Sequence, residues 1–96
     1  MKLEIKPSYL KDKKYTAIYY DGDKKVRTIQ FGLKGSTTYL DTGDKKLRDA
    51  YRARHRAVYN KAPPMSASRL SMEIIWGDSK DINKNIMAYK KKYGFI

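Results

Sequence analysis

The sequence predicts an α+β fold, a small antiparallel sheet covered by about three C-terminal helices, and three observations predict it. β-Branched and aromatic residues crowd both sides of an Asp21-Gly22 pair in KYTAIYYDGDKKVRTIQFG. The stretch from Asp44 to Asn60 has neither proline nor glycine and carries apolar residues at helical spacing. Two shorter helical patterns then follow Pro63-Pro64, closed by Gly77 and Gly94. Strands followed by helices, with no βαβ alternation, favour α+β over a parallel sheet.

Asp-Gly supplies the positive φ of a tight hairpin turn, so Tyr15 to Tyr20 pairs with Val26 to Phe31. Alternation groups Arg27, Ile29 and Phe31 on one face and Val26, Thr28 and Gln30 on the other, with the first group toward the core. LEIK near the start and STTYLD after the hairpin each offer one more strand. On the Asp44 to Asn60 helix, Leu47, Ala50, Tyr51, Arg54 and Val58 form the buried stripe at about 100° per residue. Lys45, Arg48, Arg52, Arg56 and Tyr59 gather on the other side at spacings of three and four. A second helix over Ser66 to Trp76 buries Leu70 and Ile74. A third, capped by Asp78 or Ser79, buries Ile82, Ile86, Tyr89 and Tyr93.

A chain of 96 residues reads as one domain, 1–96, with a modest core. Without cysteine there are no disulfides, thiolate metal sites or cysteine nucleophiles. No apolar run reaches the roughly 18 residues of a membrane helix, and the first residues lack a signal peptide's apolar stretch, so a soluble protein without a membrane span is expected. The 22 basic and 10 acidic residues give a net charge of +12, which attracts polyanions at a distance. That charge is +4, +5 and +3 over residues 1–42, 43–61 and 62–96, so the middle segment is the densest and no tail holds it.

The single histidine, His55, cannot make a zinc site alone, and as a general base it would sit among arginines that disfavour an imidazolium. A structural place on the helix flank is expected for it. FGLKGST lacks the spacing of a nucleotide phosphate loop, although Gly32 and Gly35 around Lys34 leave room for an anion; a tight connection after a strand is the commoner reason for such glycines. The nine tyrosines are read mainly as core and boundary residues rather than as stacking platforms for bases. No cofactor, metal site or catalytic residue is expected, and the protein is read as a non-enzyme.

The order KKYTAIYYDGDKKVRTIQFGLKG, YRARH, PMSASRLSMEIIW and YKKKYGF resembles a small family of basic proteins encoded by large double-stranded DNA viruses of algae and protists. The likeness runs from about Lys13 to Phe95, and its most specific elements are Phe31 to Gly35 and the pair Arg54-His55. Ser68 and Arg69 depart from the small residue pair usual in that family, so helix packing is expected to differ there. The resemblance implies a viral setting; it brings no catalytic residues to carry over and does not by itself imply a mechanism.

The expectation is therefore a minor capsid or structural protein of the virion, present in the host cytoplasm or nucleus during assembly, with an acidic partner among the shell proteins or the genome. The alternative is an accessory protein that binds double-stranded DNA through the basic helix 44–60. Polyanion contacts are assigned to Lys34, Lys45, Arg48, Arg52, Arg56 and Tyr59. Phe31, Gly32, Gly35, Arg54, His55 and Trp76 are assigned to the fold, with the Arg54 stem along the core edge and its guanidinium paired.

Overall fold

The computed structural model describes residues 1–96. Three antiparallel strands, β1 (Lys2–Pro7), β2 (Lys13–Asp21) and β3 (Lys24–Leu33), form a sheet in the order β1-β2-β3. Four helices follow: α1 (Tyr39–Thr42), α2 (Lys45–Lys61), α3 (Ala67–Leu70) and α4 (Ile82–Tyr93). α3 runs directly into a π-helical segment, Ser71–Ile75. The architecture is α+β.

The hairpin forms as its sequence predicts, with Gly22 at φ 60° in the turn. Register places Ile29 opposite Ala17 and Phe31 opposite Tyr15, so Leu3, Ala17, Tyr19 and Phe31 share the inner face. An irregularity beside Tyr19 and Tyr20 sets Arg27 and Lys25 opposite successive residues of β2, which leaves Val26 unpaired and largely exposed. STTYLD does not become a strand. Thr38 instead caps α1: its N–H and hydroxyl both donate to Asp41 Oδ2, at 2.8 and 3.0 Å, and this local bonding outcompetes an isolated edge strand. These hydrogen bonds from Thr38 hold the Asp41 carboxyl below its ordinary range.

Ten buried residues make the core, drawn from the sheet, α1, α3, the π-helical segment and α4. Its polar atoms are paired in a chain. Tyr89 donates to the Pro64 carbonyl at 2.7 Å and so accepts from Tyr19, also at 2.7 Å. Phe95 lies edge-on to Tyr19 and parallel to Tyr89, closing the aromatic cluster.

The turn after the π-helical segment is a tight corner. Gly77 is buried, and a Cβ there would meet the Glu73 carbonyl oxygen at 2.3 Å and Asn85 Cγ at 2.7 Å. Asn85, 3% exposed on α4, donates to the carbonyls of Ile74 and Ser79 and accepts from Ser79 N–H, using its whole amide to hold this corner. α4 starts later than its sequence predicts, because Asp81 rather than Asp78 or Ser79 supplies the cap. Its predicted stripe does face inward, with Tyr89 buried and Ile82, Ile86 and Tyr93 packed on the core.

Two measurements test this account. Gly77→Ala is expected to lower stability by about 3 kcal/mol in denaturant melts, because backbone must move to admit the methyl. Gly35→Ala, which meets open space and has only its φ of 91° to oppose it, is expected to cost about 1 kcal/mol. Asp41 has a folded pKa below its unfolded one, so its contribution is present above the ordinary value of 3.8 and is lost as pH falls through the lower folded value. Asp41→Asn is expected to flatten the acid limb of a stability-against-pH curve in that window.

Candidate partner-binding surface

α2 begins where Asp44 Oδ1 accepts from Lys46 and Leu47 N–H, and ends before Pro63. None of its 17 residues is fully buried. The helix touches the rest of the protein along a thin seam of Leu47, Arg48, Tyr51, Arg52 and Tyr59, all half-buried. That seam lies about a quarter turn from the stripe its apolar periodicity predicts. Ala50, Arg54 and Val58, expected inside, are exposed.

The arginines therefore exchange roles. Arg52, expected at the surface, donates from Nε to the Trp76 carbonyl at 2.8 Å and from Nη2 to Asp78 at 3.1 Å, with its side chain 26% exposed. Arg48, also expected outside, has a side chain 14% exposed, lies 4.9 Å over the Tyr39 ring and donates to Asp49. Arg54, expected along the core edge, instead stands at the surface. The cause is Trp76. Its indole stacks on Tyr51 at 4.2 Å and 8°, while its carbonyl, at the end of the π-helical segment, needs a donor that only a long side chain on α2 supplies. Satisfying both turns the helix away from its most apolar face.

His55 continues the stack, 4.0 Å from Tyr51 on the opposite side of that ring from Trp76, and its Nδ1–H donates to the Tyr51 carbonyl at 3.0 Å. Burial raises the Tyr51 phenol, against a hydrogen bond with Ser71 that lowers it. Tyr59 carries the Arg69 guanidinium 4.3 Å over its ring and accepts from Lys92. Arg69, which the sequence marked only as a departure in packing, also donates to the Ala62 carbonyl and to Tyr93. Tyr93 in turn donates to Glu73, which a second bond ties to Lys92 at 3.1 Å. Burial first and then the bond to Glu73 raise the Tyr93 phenol. Lys92 is lowered by burial but raised by its bonds to Glu73 and Tyr59, which prevail. No local spacing announces this network, because Tyr59, Arg69, Glu73 and Tyr93 meet only once α2, α3 with its π-helical continuation, and α4 have packed.

Two hollows flank α2. One, of 360 Å³, lies toward α4 and holds Arg52, Arg56 and Lys92 with Glu73 and Asp78. The other, of 540 Å³, is a groove toward β3 and α3, floored by Phe31, Ile75 and Trp76 and edged by Arg54, His55 and Val58. It also contains Lys13 but no acidic residue. Gly32 stands in its wall at φ 81°, where a Cβ would come within 2.7 Å of Ile75 Cδ1, so this glycine serves close packing. The groove thus unites Phe31 and Gly32 with Arg54 and His55, whereas Lys34 and Gly35 are exposed beyond it. Of the cations assigned to polyanion contact, Lys34, Lys45 and Arg56 are exposed, while Arg48 and Arg52 are committed to the fold.

Arg52→Ala strips a donor from a partly buried carbonyl and is expected to cost about 1–3 kcal/mol. Arg54→Ala, at the surface, is expected to cost under about 0.5 kcal/mol. Denaturant melts of the two variants side by side measure the reversal.

No helix is long and apolar enough to cross a membrane. Comparison with known proteins finds a profile described as a family of unknown function, DUF5754, matching residues 3–55. "Uncharacterized protein L851" of Acanthamoeba polyphaga mimivirus is 35% identical over 80 residues, which span 77% of this chain and 80% of that protein. No solved structure matches. A profile over more than half of the residues, together with a giant-virus relative aligned through most of both chains, shows that the chain belongs to the DUF5754 family and is a viral protein.

Proposed function

We propose that the protein is a non-enzymatic structural component of the virus particle that works by binding an acidic protein partner within the shell. The observation that carries this reading is the groove beside α2. Leu33 and Val58, 63% and 62% exposed, stand over a floor of buried aromatic and aliphatic residues, and the lining cations have no acidic counterpart. Phosphate backbones make no use of an apolar floor, whereas protein interfaces combine a dry centre with a charged rim.

A second reading has its own support. Lys45, Lys46, Arg54, Arg56 and Lys61 are exposed on α2, and the whole chain has four ion pairs against 22 basic residues, which leaves most of its positive charge open to DNA phosphates.

The two readings part in disrupted particles. After nuclease treatment at moderate salt, the protein is expected to sediment with the shell fraction, with quantitative immunoblotting of shell and soluble fractions as the measurement. Release of most copies with the digested DNA overturns the particle reading and establishes the second.

A further inference from the structure

The three-stranded sheet is closed unequally at its two edges. On the β1 side, Leu3 N–H donates to Ile96 at 2.8 Å, Ile96 N–H donates to Met1 at 3.0 Å, and Pro7 has no N–H to offer. The outward bond of Leu3 also fixes the phase of the ladder. Antiparallel pairs alternate, so Tyr15, Ala17 and Tyr19, which lie opposite Pro7, Ile5 and Leu3, turn their backbone groups toward Phe31, Ile29 and Arg27 of β3. The residues between, Thr28 and Gln30, direct N–H and C=O away from the sheet. No loop or helix bonds them.

That free edge is selective in charge. β3 reads KKVRTIQFGL, three cations and no anion, with Lys24, Lys25 and Arg27 all exposed. At its far end the strand gives four consecutive residues, Gln30 to Leu33, to the groove beside α2. Side chains on a strand alternate between faces, so a groove touched by four in succession passes along the strand's own edge. Backbone donors and acceptors, a run of positive charge and an apolar hollow therefore lie in one line.

Resting on the particle reading, we propose that β3 receives an extended, acidic segment of a partner protein as a fourth antiparallel or parallel strand, bonded to Thr28 and Gln30, with an apolar side chain in the groove under Val58. Main-chain bonds would supply affinity, and alternate side chains would supply selectivity. A second copy of this chain is a poor occupant, because β3 against β3 sets like charges across the pair. The cations that blunt self-association at an open edge are the same ones that select an acidic strand.

Amide-resolved NMR of the full chain provides the test, with a peptide of about seven residues alternating valine and glutamate as the probe, matched to a common strand length. A valine-lysine peptide and duplex DNA serve as comparisons. Saturable binding of the glutamate peptide with slowed hydrogen exchange at Thr28 and Gln30 is expected, and no binding of the lysine peptide. Thr28→Pro removes one outward N–H at a position where an edge strand tolerates proline, and is expected to weaken binding about tenfold. Lys25→Glu combined with Arg27→Glu is expected to transfer the preference to the lysine peptide, which keeps the test open if the proline variant does not fold. The inference fails if the glutamate peptide does not bind, if Thr28→Pro binds it as tightly as the unaltered chain, or if β3 amides become protected through dimerisation without peptide. It fails equally if only duplex DNA binds, with its shifts on the outer face of α2. Absence of peptide binding while particles keep the protein in their shell sinks this strand alone, whereas release with DNA sinks the particle reading whatever the peptide does.

Discussion

Two carbonyls at the end of the π-helical segment govern how the helices are placed. Chain leaving a helix exposes acceptors that the helix itself no longer bonds, and leaving one buried costs roughly 1–3 kcal/mol. Ile74 and Trp76 solve this with side chains from elsewhere: Asn85 of α4 donates to the first and Arg52 of α2 to the second. Both long helices are therefore fastened to one turn. Gly77 lets α4 approach that turn, since any side chain there would collide with the Glu73 carbonyl and with Asn85.

The open surfaces beside α2 follow from this fastening. Because α2 is held by Arg52 and by the Tyr51–Trp76 stack rather than by a wide apolar face, it stands off from the sheet and from α4, leaving a hollow on each side. Its outer face is free to remain basic and its Val58 methyls to remain exposed. A helix buried in the ordinary way along Leu47, Ala50, Tyr51, Arg54 and Val58 would have filled the groove with its own side chains. The protein's stability at this point rests on a few directed interactions, an aromatic stack worth about 0.5–1.5 kcal/mol beyond its area among them.

The sheet and the helices differ in how openly the sequence displays them. A strand's faces are set by a period of two, so the grouping of Ile29 with Phe31 was legible from spacing, but the register was not: counted from the Asp-Gly turn Tyr19 would meet Val26, and the irregularity beside Tyr19 and Tyr20 is what sets Ile29 and Phe31 opposite Ala17 and Tyr15. α4 was legible too, its stripe of Ile82, Ile86, Tyr89 and Tyr93 being the only apolar one available. α1 was not, because STTYLD has strand-like composition and turns helical only through the Thr38 cap on Asp41. The rotation of α2 was least legible. Its periodicity identifies a helix of the right length, but its apolar residues are few, so their vector is weak beside one stacked tryptophan and one carbonyl that needs the Arg52 donor.

Composition and short-range pattern were enough for the α+β class, the hairpin, the presence of the two long helices α2 and α4, and a net positive charge too large to be local, since each depends on composition or on neighbours within a few residues. Tertiary structure alone decided which arginines are free. Arg52 and Arg54 are chemically identical and two residues apart, and what separates them is the Trp76 carbonyl, 24 residues beyond Arg52 in the chain and 2.8 Å from its Nε in space. No local pattern encodes the position of that oxygen, because it is fixed by the packing of Gly77 against α4, and the open groove and free β3 edge are likewise properties of how the finished elements meet.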